Sequence, residues 1–476
     1  EEAVHCIGEG SAFMSPKDLV RTTIHPYKER NMGTHSHFLP TEIVYPAYSL
    51  PSRPFAWMMK SNFDIYAENY GINVDPSAEP SLAFNTNWIQ EASNHRAIFD
   101  YFYGDIIPDE SLCIAYAKQV PFIEDYKRVV VGMGHVKRVV PAVEHKHTDE
   151  KPLRSMTWET HICHSIRPDH EDGFIIPYQE MMEYANEHPG FDMASITVFA
   201  LEDVFAEFSF ASEHVSYDAA IDVILSCIKA FEIINSCLDE DYSNVLDWLN
   251  ARLAEVWEDR GAFPGLGTMF TALEIPMGVL IARQLKDKAK DTDIWDVVEK
   301  MFVSPDEVLS ETLASKITPI VKQTWKALSN ERKTLFKLLS RISLSIDQAR
   351  LLFFESARVK ARIECSDKDI IENPYLLYEM TRLKQEAFYI SVKKIDRAVF
   401  PVESIQNEYP LEAPSKLESD NDQRRIRALA IYVMEAAAAA GHTIMPCVNL
   451  VERMKEINLD PACPVTSDIV NAISKF

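Results

Sequence analysis

Arg128-Val129-Val130-Val131-Gly132-Met133-Gly134-His135-Val136 is the run on which the fold class turns. Consecutive β-branched residues lose side-chain freedom in a helix and fit a pleated surface, so this stretch predicts a strand. Working outward, Val139-Val140-Pro141-Ala142-Val143 continues the sheet character, and Leu112-Cys113-Ile114-Ala115-Tyr116 is a second short strand. Met156, Trp158, Thr160 and Ile162 alternate with more polar neighbours, the pattern of a half-buried strand. Before the sheet, Trp88, Ile89, Ala92, Ile98, Phe99 and Phe102 fall at helical spacing within Asn87–Tyr103. Further back, the prolines at 46, 51 and 54 forbid a helix and leave loop or edge structure. Residues 85–175 therefore read as a small α+β domain.

From about Pro177 the pattern is mostly helical. Tyr217–Cys237 is predicted as a helix with Ser216 as its cap and Asp218 in its first turn. Val245–Arg260 is another, with Leu246, Leu249, Leu253 and Val256 on one face and Gly261 as its stop. Phe263-Pro264-Gly265-Leu266-Gly267 turns the chain, and further helices are expected over 268–288, 305–328, 330–342 and 346–363. The expected class is α+β: a small mixed α/β N-terminal region, then a mostly α-helical half. The expected divisions are an α+β accessory domain over 1–190, a helical domain over 191–330 and a third region over 331–476.

The composition is that of an ordinary globular protein, with 47% apolar and 25% charged residues. No apolar run is long enough for a membrane span, and no basic region followed by an apolar core opens the chain, so a cytoplasmic location is expected. The first residue is Glu1, and Ser474-Lys475-Phe476 follows an unfinished helical pattern, as expected of a fragment. The eight cysteines include no Cys-x-x-Cys pair, which points to reduced thiols. A net charge of −24 excludes a protein that coats nucleic acid along its whole surface. Yet Lys316–Arg362 carries eleven basic residues against Glu331, Asp347 and Glu355, a local +8.

Function is argued from Leu344-Ser345-Ile346-Asp347-Gln348-Ala349-Arg350, a helix start capped by Ser345. After it come Ile370-Ile371-Glu372-Asn373-Pro374-Tyr375-Leu376-Leu377, then Ile390-Ser391-Val392-Lys393-Lys394-Ile395-Asp396-Arg397. Asp422-Gln423-Arg424-Arg425-Ile426-Arg427 and Gly441-His442-Thr443-Ile444-Met445-Pro446 close the series. This order, over 340–476, resembles the region ahead of the ATPase core in RecD-like superfamily 1 DNA helicases. The resemblance implies a DNA-binding region of helix-hairpin-helix and winged-helix-like elements that guides single-stranded or forked DNA into a motor. It also implies ATP and Mg as cofactors of that motor, with none held by this chain. No Gly-x-x-x-x-Gly-Lys-Ser/Thr loop occurs in the sequence, so this chain alone is expected to be inactive.

The DNA contacts this reading selects are Lys333, Lys337, Arg341, Arg350, Arg358, Lys393, Lys394, Arg397, Arg424, Arg425 and Arg427. Ile390–Arg397 contains no glycine, so its lysines rather than its amides are expected to meet phosphate. Arginines at a helix N-terminus oppose the helix dipole, which suggests a phosphate partner unless Asp420 or Asp422 compensates locally. Two other classes stay open: a stand-alone nucleic-acid-binding adaptor, and a metal-dependent nuclease. The nuclease would use Glu159, His161, Cys163, His164 and His170, although no standard zinc spacing is present.

Overall fold

The strand expected at Arg128–Val136 forms in the computed structural model and is longer than its apolar run. The structure describes residues 12–25, 28, 36–123, 128–148, 153–157, 160–200, 207–208, 212–290 and 292–473. Among the described residues two antiparallel sheets form. Leu19–Thr23 (β1) pairs with Thr41–Tyr45 (β2). The larger sheet contains Ser49–Ser52 (β3), Leu112–Ala117 (β4), Val129–Val140 (β5), Thr160–His164 (β6) and Gly173–Ile175 (β7). Its order is β3-β6-β5-β4, with β7 also on β5. Pro51 lies in the edge strand β3, where a missing amide donor is tolerated.

β5 reads as a continuous apolar run because its first eight residues are buried. The two glycines within it serve packing. A Cβ on Gly132 would lie 2.5 Å from the Phe174 carbonyl oxygen, and one on Gly134 would lie 2.8 Å from Ser165 Oγ. β6 departs from the expected alternation: every residue from Thr160 to His164 is buried. Trp158 lies outside the described residues.

The chain divides into two compact units, residues 1–67 with 71–256, and residues 68–70 with 257–476. The divisions expected at 190 and 330 are not observed, and the cause is side-chain packing. In the first unit Phe174 of β7 packs edge-on against Phe231 and Trp248, both from helices beyond 190. Tyr178 donates to the Val130 carbonyl and accepts from Val198 N–H, tying the following segment to the sheet. The helix Tyr217–Cys237 forms with the expected bounds, and Ser216 Oγ accepts from Ala219 N–H.

In the second unit, one core runs from Ala262 to Val465. Phe302 stacks on Trp325 at 4.4 Å, Trp325 meets Phe336 at 5.2 Å, and Phe336 meets Phe353 at 5.9 Å. That aromatic chain crosses residue 330, so no boundary can fall there. Three of the expected helices are each two. Leu266–Ala272 and Gly278–Lys288 are separated by a turn holding Pro276, with Glu274 and Met277 at positive φ. Glu311–Ala314 and Pro319–Ala327 are split before Pro319, and Ile346–Phe353 and Glu355–Lys360 at Phe354. Among the described residues of 257–476 no strand forms, so Gln423–Ala439, Cys447–Lys455 and Ser467–Ile473 pack without a β wing.

Candidate nucleic-acid interface

The basic stretch begins on the helix Pro319–Ala327 and continues on Asn330–Ser340, capped by Ser329 Oγ accepting from Arg332 N–H. On the second helix Lys333 and Lys337 are one turn apart and share a face. Lys333 pairs with Glu299 at 2.8 Å and lies over the Trp325 ring at 4.8 Å. Lys337 is exposed, with its ammonium 5.1 Å from the Trp295 ring centre. Arg341, the next residue of this spacing, turns inward. Its Nε donates to the Ala398 carbonyl and its Nη2 to the Tyr409 carbonyl, both at 2.9 Å. Burial pushes its pKa down to about 10, with Arg260 adding to the effect.

The helix Ile346–Phe353 starts with the expected Ser345 cap, and Gln348 completes a reciprocal capping box. Arg350 on this helix pairs with Glu274 at 3.2 Å. Arg358 is buried and donates to the carbonyls of Leu352 and Cys365 and to the carboxylate of Asp367. Asp367 also receives Arg332 at 2.8 Å, whose guanidinium lies 3.9 Å from the Phe353 ring centre.

The helix Val392–Val399 carries Lys393 and Arg397 on its buried side and leaves Lys394 half-buried. Its central feature is Asp396, almost fully buried. Asp396 accepts two bonds from Arg425, at 2.8 and 2.9 Å, and one from Tyr375 Oη at 2.6 Å. Arg425 also donates to the carbonyls of Asp420 and Pro461 and lies over the Phe400 ring. Burial alone would lower the pKa of Arg425, but the Asp396 carboxylate outweighs it and the net direction is up. Arg424 binds Asp422 at 2.8 Å and the carbonyls of Glu372, Pro414 and Lys416. Arg427 is exposed and pairs with Glu379 at 3.0 Å. The dipole cost of arginines at this helix start is thus met locally: Asp422 caps the helix and holds Arg424.

The structure does not gather the eleven DNA contacts expected from the sequence on one surface. Arg341, Arg358, Lys393, Arg397 and Arg425 are buried, so no phosphate reaches them in this conformation. Lys333, Arg350, Arg424 and Arg427 are engaged with carboxylates, while Lys337 and Lys394 remain exposed and half-buried, respectively. The basic stretch contains a second set that shares only Lys337 with the first. Lys316, Lys322, Lys326, Lys337, Lys360 and Arg362 are not buried, and none forms an ion pair with a carboxylate among the described residues. Periodicity distinguishes these two groups only where a helix is regular. Arg341 and Arg358 sit at helix ends, where geometry beyond the sequence turns them inward.

Charge is also unevenly divided along the chain. Residues 1–256 hold 18 basic and 40 acidic residues, a net −22, and residues 257–476 hold 30 and 32, a net −2. Of the metal-ligand candidates, Glu159 lies outside the described residues. His161 meets the Tyr45 ring edge-on at 4.7 Å, Cys163 accepts from Arg138, and His164 lies 4.8 Å from the Phe13 ring. Among the described residues no group of three or more His, Cys, Asp or Glu is placed to hold a metal ion. No described helix is long and apolar enough to cross a membrane. Compared with known proteins, the chain matches no family model, no curated protein and no solved structure.

Proposed function

We propose that residues 257–476 form a DNA-binding unit and that the chain is the strand-guiding portion of a RecD-like, ATP-dependent DNA helicase or translocase. The observation that carries the reading is the set of six cations between Lys316 and Arg362 that have no carboxylate partner among the described residues. Cations that no described carboxylate neutralises, on a unit of near-zero net charge, can neutralise phosphates and release their counterions, which supplies most of the affinity in non-specific binding. The order of motifs over 340–476 supports the helicase assignment, with ATP and Mg belonging to the motor rather than to this chain.

Binding of the full 476-residue chain to labelled single-stranded, forked and duplex DNA across a salt series tests the reading. Six phosphate contacts give a slope of log K against log salt of about −4 on a single strand. Charge reversal at Lys326, Lys337, Lys360 and Arg362 is expected to abolish most of that slope. Charge reversal at Arg425 would set two buried carboxylates against each other at Asp396, so a loss of binding there does not report on DNA contact. Absence of binding at low salt would overturn the reading.

A further inference from the structure

In the second unit, the helix Glu355–Lys360 and the turn after it border an open groove of about 290 Å3. Val359, Arg362, Ile363 and Cys365 are among its lining residues. Arg362 and the buried Arg358 line it together with Glu355 and Glu364, and two further cations adjoin Arg362 by sequence or by contact. Lys360 and Arg362 are exposed, and Lys384 donates through Nζ to the Arg362 carbonyl at 3.3 Å, which brings the loop after Thr381 alongside. The two segments also expose large apolar side chains: Leu383 is 80% accessible and Val359 68%. Ile444, Val303 and Ile320 are comparably bare elsewhere in the unit, but Val359 and Leu383 are the exposed apolar residues that adjoin Lys360 and Lys384 in sequence, cations with no carboxylate partner among the described residues.

From this juxtaposition we infer that the groove beside Val359, Lys360, Arg362, Leu383 and Lys384 binds single-stranded DNA in preference to duplex. The inference rests on the DNA-binding reading above and specifies both the place and the form of the strand. Phosphates meet the three cations, and unpaired bases cover Val359 and Leu383. Base faces are apolar and open to contact only when unstacked from a helix; in duplex they are hidden and the two side chains would stay in water. Glu355 and Glu364 also line the groove, so the backbone runs along the Lys360–Arg362–Lys384 side rather than along its floor.

The test compares wild-type chain, a charge variant (Lys360→Glu, Arg362→Glu, Lys384→Glu) and an apolar variant (Val359→Ser, Leu383→Ser), using oligothymidine and a duplex of equal length. All five side chains are on the surface, and matched circular dichroism and melting confirm that each variant folds. Wild type is expected to hold the single strand about tenfold tighter than duplex. The charge variant should lose at least about tenfold on both forms. The apolar variant should lose affinity for the single strand alone, bringing the two forms level. Equal affinity for the two forms, or an apolar variant that binds both as wild type does, overturns this inference and leaves the DNA-binding reading intact. Binding that the charge variant does not change overturns this inference and removes Lys360 and Arg362 from the DNA-binding set, leaving that reading to Lys316, Lys322, Lys326 and Lys337. Failure of wild type to bind either form overturns both.

Discussion

The two units bury titratable groups in opposite ways. Thirteen of the fourteen histidines lie in residues 1–256, and several are inaccessible, among them His95, His161 and His164. Burial holds these rings neutral: it pushes His164 down to about 3 and His145 to about 4, with Arg167 and Arg154, respectively, adding to the effect. In residues 257–476 the buried cations are, apart from Lys393, arginines, which keep their proton at neutral pH. Arg341, Arg358 and Arg425 are each surrounded by carbonyls or a carboxylate. Arg154 is the buried arginine of the first unit among the described residues. A histidine can avoid the cost of a buried charge by giving up its proton; an arginine requires acceptors. Cation counts along a sequence therefore do not locate a DNA surface unless the acceptors are known.

The largest expected effect breaks the second unit. Asp396→Ala leaves the Arg425 guanidinium without its carboxylate inside the core, a loss of about 3–5 kcal/mol by analogy with other buried pairs. Urea unfolding followed by hydrogen exchange in residues 257–476 measures it. A loss below about 1 kcal/mol would show that Arg425 is solvated after all.

Acidification separates the units next. The folded pKa of His164 and His145 lies below the unfolded value near 6.5, so the unfolded chain takes up protons first as pH falls. Their contribution is complete above about pH 6.5 and is lost between there and the folded values, by up to ~1.4 kcal/mol per pH unit for His164. In the second unit Asp422 and Glu299 are held below the usual carboxylate range. Burial opposes this, but bonds from Arg424 to Asp422 and from Lys333 and Trp325 to Glu299 outweigh it. Their contribution is lost only as pH falls below about 4. Hydrogen exchange between pH 7 and 4.5 should therefore rise in residues 71–256 before 257–476. Simultaneous loss in both would refute the comparison.

His164→Phe sharpens the same point. Among the described residues, neither ring nitrogen of His164 has a hydrogen-bond partner. A phenyl ring should flatten the acid dependence of the first unit while changing its stability at pH 7.5 little, about 1 kcal/mol or less for a shape-conserving swap. An unchanged acid profile would assign the pH sensitivity to the other histidines. The smallest effect belongs to the exposed cations. Lys326→Glu should alter melting by no more than about 0.5 kcal/mol equivalent, as surface changes do. A larger shift would reveal an internal role and remove Lys326 from the DNA-binding set.

Local signals are legible in the sequence where they depend on neighbouring residues. The Ser216 and Ser345 caps, the stop at Gly261, the edge position of Pro51 and the helix Tyr217–Cys237 all follow from backbone donors and side-chain periodicity. The α+β class follows in the same way from the valine run and the helical stretches. The candidate interface was less legible. Lys393-Lys394-Ile395-Asp396-Arg397 looks like a basic patch, and its one acid, Asp396, is the residue that draws Arg425 into the core. Lys384 was invisible to the charge count because it lies outside the basic stretch and joins Arg362 only through space.

The sequence by itself determined the kinds of element, their caps and the uneven distribution of charge, because each is set by residues within a few positions of one another. Tertiary structure decided where the units divide and which cations face water. Both depend on partners far apart in the chain, such as Phe174 with Phe231, Trp325 with Phe336 across the expected boundary, and Arg425 with Asp396. A guanidinium carries the same charge in either setting; the acceptors folded around it determine whether that charge is spent inside the protein or offered to a phosphate.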